Sequence, residues 1–196
     1  MAYVIIAVLV TVVIWLLISR GRTARSTAIL KLRRDSIGSP ITGAGDPRAA
    51  MLSAVDMIPF IDRTIGAFHS RGIAFCAQGI TFMEVASIYL YYAGRYALEH
   101  FRNEYDMFMP ILSGGIIDHA EHELHWPESS LKEFQQRVEE RNFEYSTQVS
   151  DKEELVRAFF KHINKSSDLD ERCQAFLAKH FAAIQTNVGK LLMKYS

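Results

Sequence analysis

Cysteine is scarce in this chain: Cys76 and Cys173 stand far apart and alone. They form no zinc-ligand spacing, and in a reducing compartment such residues are core material rather than a disulfide. Net charge is missing too, because 22 Lys and Arg balance 22 Asp and Glu. That balance argues against nucleic-acid binding, which needs a strongly basic surface. Gly114-Gly115 is not followed by Lys-Ser/Thr, so there is no phosphate-cradling P-loop. Neither a serine nor a cysteine sits in a recognisable nucleophile motif. No segment alternates with period two for long enough to count as a strand, and no internal repeat is visible. These absences point away from an enzyme and away from a β fold.

The first long stretch, residues 2–19, AYVIIAVLVTVVIWLLIS, also lacks something: it holds no charge, no proline and no glycine. As a helix at about 1.5 Å per residue it spans roughly 27 Å, close to the ~30 Å hydrocarbon core of a bilayer. Only a helix satisfies every backbone polar group in lipid, so its five valines and four isoleucines do not argue for a strand. The expectation is a transmembrane anchor, with Tyr3 and Trp15 inside it and Arg20, Arg22 and Arg25 just after it. Lys31, Arg33 and Arg34 extend the basic flank, with no acidic residue until Asp35. Basic residues beside a span favour the cytoplasmic side, so the chain is expected N-out with its C-terminal domain cytoplasmic. A cleaved signal peptide would carry its basic residues ahead of the apolar run and small residues near the cut. The flank can also bind anionic lipid head groups.

Ser36 to Asp46, SIGSPITGAGD, contains three glycines, two serines and a proline, which reads as a flexible tether. The expected organisation is an anchor over 1–19, a basic flank and tether over 20–46, and a helical bundle over 47–196. Asp46-Pro47 suits an N-cap and a first helical position. Met51, Val55, Ile58, Ile65 and Phe68 form an amphipathic stripe after it, with a kink or break expected before Pro59.

Residues 73–94 are the second longest apolar run, interrupted by Gln78 and Glu84. It reads as the buried central helix of a bundle, with a second membrane span as the alternative. The helix should continue to about Arg102 and end before Pro110, and Ser113-Gly114-Gly115 marks a turn. Ile116 to Trp126 is then a short helix closed by Pro127. Leu131, Phe134, Val138 and Tyr145 give the next stripe, with Lys132, Glu133, Arg137, Glu139, Glu140 and Arg141 on the wet side. Capping patterns at Ser150–Glu153 and Asp168–Glu171 open two more helices. The expected fold is all-α, a single transmembrane helix followed by a bundle of five or six helices.

The chemically loaded cluster is Asp118, His119, Glu121, His122, Glu123 and His125. On a helix Asp118, His122 and His125 share a face, as do His119 and His122. His119, His122 and His125, with Glu121, therefore form a candidate site for zinc or iron. The same residues read equally as a solvated polar helix end. Glu84 is a candidate buried carboxylate, with Arg71, Arg95, His69 or a cluster histidine as partners. Tyr89, Tyr91, Tyr92 and Tyr96 form an aromatic stripe that packs a core or, if exposed, binds a partner. Gly45-Asp-Pro-Arg-Ala-Ala50, opening an Ala-rich helix, resembles the start of TerB-like helical domains over a few residues. The Asp-Gly that those domains carry at the end of that helix is absent, so no site is carried over and no family is claimed.

The functional expectation is a membrane-anchored, non-enzymatic helical adaptor or accessory subunit, docking on a protein partner at the cytoplasmic face. Its alternative is a metal-dependent enzyme or metal sensor on the histidine cluster.

Overall fold

Thr81 to Gly94 are buried without exception, so the helix they belong to has neighbours on every side. The computed structural model describes residues 41–71, 78–147, 149, 151–163 and 170–195. The apolar run 2–19 and its flank, with Tyr3, Trp15, Arg20, Arg22 and Arg25, lie outside these, as does Cys76. Residues 41–196 form one compact unit of six α-helices, and no strand occurs among the described residues. The helices are α1 (Pro47–Ser70), α2 (Gln78–His100), α3 (Tyr105–His122), α4 (Glu128–Thr147), α5 (Lys152–Ile163) and α6 (Glu171–Leu192). A single 3₁₀ turn, Met193–Tyr195, follows α6. Helix α2 is the axis: it packs against all five others. Among the described residues no helix is long and apolar enough to cross a membrane, and that statement covers α2.

The starts of the helices follow from their polar caps. Asp46 accepts the Arg48 N–H at 3.0 Å and Asp170 accepts the Cys173 N–H at 2.6 Å, each satisfying a donor the helix leaves free. In the Ser150–Glu153 pattern the capping side chain is Asp151, which accepts from the Glu154 N–H at 2.8 Å. Chain compaction begins before α1. Ala44 is buried and Ile41 packs on the core, so the last residues of the expected tether already belong to the folded unit.

Three local expectations are overturned by packing. Helix α1 runs through Pro59 without a break. Pro59 is exposed, and the helix is held by a buried face of Ala50, Ala54, Met57, Ile61 and Phe68. Of the expected stripe, Ile58 and Phe68 are buried, Val55 and Ile65 are half-buried and Met51 is exposed, and alanines take the inner positions near the start. Ser113-Gly114-Gly115 is no turn but the middle of α3, which also contains Pro110. A Cβ on Gly115 would stand 2.7 Å from Ala54 Cβ, so the glycine is what lets α3 lie on α1. The short helix expected from Ile116 is therefore only the end of α3. Finally, Arg137 and Arg141 do not face water; they turn inward to Glu84.

The two helices expected after the capping patterns form, and large apolar residues at helical spacing face inward from both. Leu155, Val156, Phe159, Phe160 and Ile163 are all buried, as are Leu177, Phe181, Ile184, Val188 and Leu191. Edge-on aromatic contacts such as Phe159–Phe181, with ring centroids 5.1 Å apart, join the two helices.

Candidate functional site

Glu84 lies on α2 with none of its side chain exposed. An unpaired carboxylate there would ionise only at a large desolvation cost, so its surroundings must supply charge and donors. Helix α4 supplies both. Arg141 donates through Nε to Oε2 at 2.9 Å and through Nη2 to Oε1 at 3.0 Å, a two-pronged contact that fixes the carboxylate plane. Arg137 Nη1 donates to Oε1 at 3.1 Å. The chain of charges continues outward on both sides. Arg137 also bonds Glu133 at 2.7 Å, and Glu144 lies 3.5 Å from Arg141 and 2.8 Å from His162 Nε2 of α5.

Burial works against both guanidinium charges, and the hydrogen bonds and charges of Glu84 and its neighbours more than offset it, so both arginines are held above their ordinary range. Next to this cluster burial, and then the charge of Glu84, push the Tyr145 phenol well above its usual value. Both Glu84 oxygens are occupied and no face of it meets solvent. It joins α4 to α2 and offers nothing to a substrate. Two of the partners expected for it are engaged elsewhere: Arg71 lies over the Phe176 ring and Arg95 donates to Tyr91 Oη at 3.4 Å.

The histidine cluster divides. His119 is half-buried with its ring 6.3 Å from that of Phe82, and burial lowers its pKa against the opposing charges of Asp62, Glu123 and Asp118. His125 lies beyond the end of α3 with a φ of 55° and is exposed. His122 turns back to Asp118, with Nδ1 3.0 Å from its carbonyl and 3.1 Å from Oδ1. One ligand atom each from Asp118, Glu121 and His122 lie within 4.8 Å of one another. Helical spacing brings these three together and leaves His119 and His125 out of the group. Most of the tyrosine stripe is core: Tyr89, Tyr91 and Tyr92 are buried, Tyr96 is half-buried against the same core, and Tyr89 Oη donates to the Phe60 carbonyl at 3.0 Å.

A groove of about 560 Å³ lies between α3 and α4, and no single segment of sequence announces it. Leu90 of α2 and Val138 form its floor, and Met109 and Ile117 line its wall. Asp106 and Glu139 stand at its edges, and among the described residues no Lys, Arg or His lines it. The inward turn of Arg137 and Arg141 explains this one-signed rim, since α4 has already committed those two cations to Glu84. A smaller hollow of about 150 Å³ near the start of α5 has Arg95, Lys152 and Asp151 at its edge, charges of both signs. The rim of the groove agrees with the charge of the whole unit. Sixteen Lys and Arg against twenty-one Asp and Glu give residues 41–196 a formal net charge of −5, and residues 1–40 carry the opposite excess.

No protein-family model, no curated protein and no solved structure matches this chain.

Proposed function

We propose that this chain is a membrane-anchored, non-enzymatic helical adaptor or accessory subunit whose domain docks on a protein partner at the cytoplasmic face. The observation that carries the reading is the uncharged run 2–19 followed at once by six basic residues. The charge division supports it. The basic flank suits an anionic lipid surface, whereas an acidic domain is repelled by the same head groups and stays available to proteins. Confinement beside a partner raises its effective concentration, so a modest docking surface suffices. The inaccessible Glu84, with both oxygens engaged, removes the one deeply buried carboxylate among the described residues from the list of catalytic groups.

The full chain is expected to remain in the membrane fraction after carbonate extraction, with Ser196 reachable only from the cytoplasmic side. A mature protein beginning beyond Trp15, or a C-terminal tag labelled from outside the sealed cell or organelle, would sink the reading.

The convergence of Asp118, Glu121 and His122 favours a second reading, a zinc or iron site serving an enzyme or sensor. Under the adaptor reading, elemental analysis of the purified full chain finds less than stoichiometric metal, and His122→Ala leaves that value unchanged. One zinc or iron per chain, lost in His122→Ala, would replace the first reading with the second.

A further inference from the structure

We infer that the groove between α3 and α4 receives an amphipathic helix of the partner, one whose apolar stripe is flanked by Lys or Arg. This rests on the adaptor reading and names its docking site. Dimensions come first. The α3 wall runs from Tyr105 to Ile117, about 18 Å at 1.5 Å per residue, or roughly three helical turns. A helix laid there places apolar side chains at three- and four-residue steps on the floor of Leu90 and Val138.

Charge selects the occupant. Asp106 and Glu139 flank the apolar floor with no cation among the lining residues, so a basic flank finds opposite charge on both walls. The helical domain of a second copy would bring an equally acidic groove edge to the contact, on residues 41–196 of charge −5. Anionic lipid is disfavoured for the same reason. Gly114 supplies the shape. A Cβ there would meet nothing within 4 Å, unlike one on Gly115 beside it, so no contact inside the domain requires the glycine. Its bare backbone keeps the groove wall low, where an approaching helix can come close.

The test uses the full chain in non-ionic detergent and a synthetic Leu–Lys helical peptide of about five turns, with a Leu–Glu peptide of the same pattern as control. The Leu–Lys peptide is expected to bind and the Leu–Glu peptide not to. Gly114→Leu puts bulk into the groove from a position where the Cβ itself meets no atom within 4 Å, and it removes no charge; it should weaken binding about tenfold or more. Glu139→Lys, on the exposed rim, should do the same and guards against a folding defect in the first variant. Equal binding of the two peptides, or Leu–Lys binding indifferent to both variants, would overturn the proposal.

In intact membranes, a photo-crosslinking residue at Ser113 should join a Lys/Arg-rich amphipathic segment of the partner, and Gly114→Leu should remove that product. A partner captured only from other surfaces, and indifferent to Gly114→Leu, overturns the groove and leaves the adaptor reading standing. No partner from any surface overturns both.

Discussion

Glu84→Gln is expected to cost about 3–5 kcal/mol of folding stability, the range for breaking a buried ion pair by removing one partner. The carboxylate accepts three hydrogen bonds from two guanidiniums and is wholly buried. An amide of the same shape loses the negative charge and points an NH₂ group at donors, leaving two cations facing one neutral acceptor. The two arginines should not suffer equally. Arg137 is 25% exposed and keeps Glu133, whereas Arg141 is 11% exposed and depends on Glu84 for two bonds. Arg137→Met should therefore cost clearly less than Arg141→Met. Replacing Glu84, Arg137 and Arg141 together by Leu or Met should recover most of the loss, because no buried charge is then left without a partner. Urea unfolding of each variant reads these differences. A Glu84→Gln chain within about 0.5 kcal/mol of the parent, the ordinary scatter for an exposed site, would show that the network does not hold α4 on α2.

The same network shows how far the sequence could be read. The inner faces of α5 and α6 were legible because their large apolar residues recur at helical spacing and nothing local contradicts them. The burial of Glu84 was legible from its apolar neighbours, but its partners were not, since they lie 53 and 57 residues further along the chain. One signal did exist. The apolar stripe of α4 passes from Val138 to Tyr145 with a turn missing, and Arg141 stands in the gap at the place of a core residue. An arginine on a buried stripe needs a buried anion, and Glu84 is the anion inside the central helix. The geometry of the histidine cluster was legible only in part, for another reason. Spacing shows which residues share a face, but not that Phe82 of a different helix draws His119 inward. The groove could not be read at all, because it depends on how far α3 and α4 stand apart. Around Gly114 the local signal was misleading: two adjacent glycines, close after a proline, have the composition of a loop, and tertiary packing overrode it.

Those two glycines should respond to substitution with opposite signs. Gly115→Val is expected to destabilise by about 3 kcal/mol, the upper part of the range for overpacking a tight contact. The new Cβ would stand 2.7 Å from Ala54 Cβ, and Ala54 has no side-chain torsion by which to retreat, so one helix backbone must move. Gly115→Ala should cost less, because the gain of up to about 1 kcal/mol in helix propensity acts against the clash. At Gly114 the same gain has nothing to oppose it, as the added methyl meets no atom within 4 Å. Gly114→Ala should therefore stabilise the chain by up to about 1 kcal/mol. The contrast separates packing from propensity, since both residues lie in the middle of one helix and differ only in what they face. Ala54→Gly opens space on α1 and should recover part of the loss in Gly115→Ala, while doing nothing for Gly114→Ala. Equal effects at the two glycines, or no coupling between positions 54 and 115, would mean that α1 and α3 do not meet at this point.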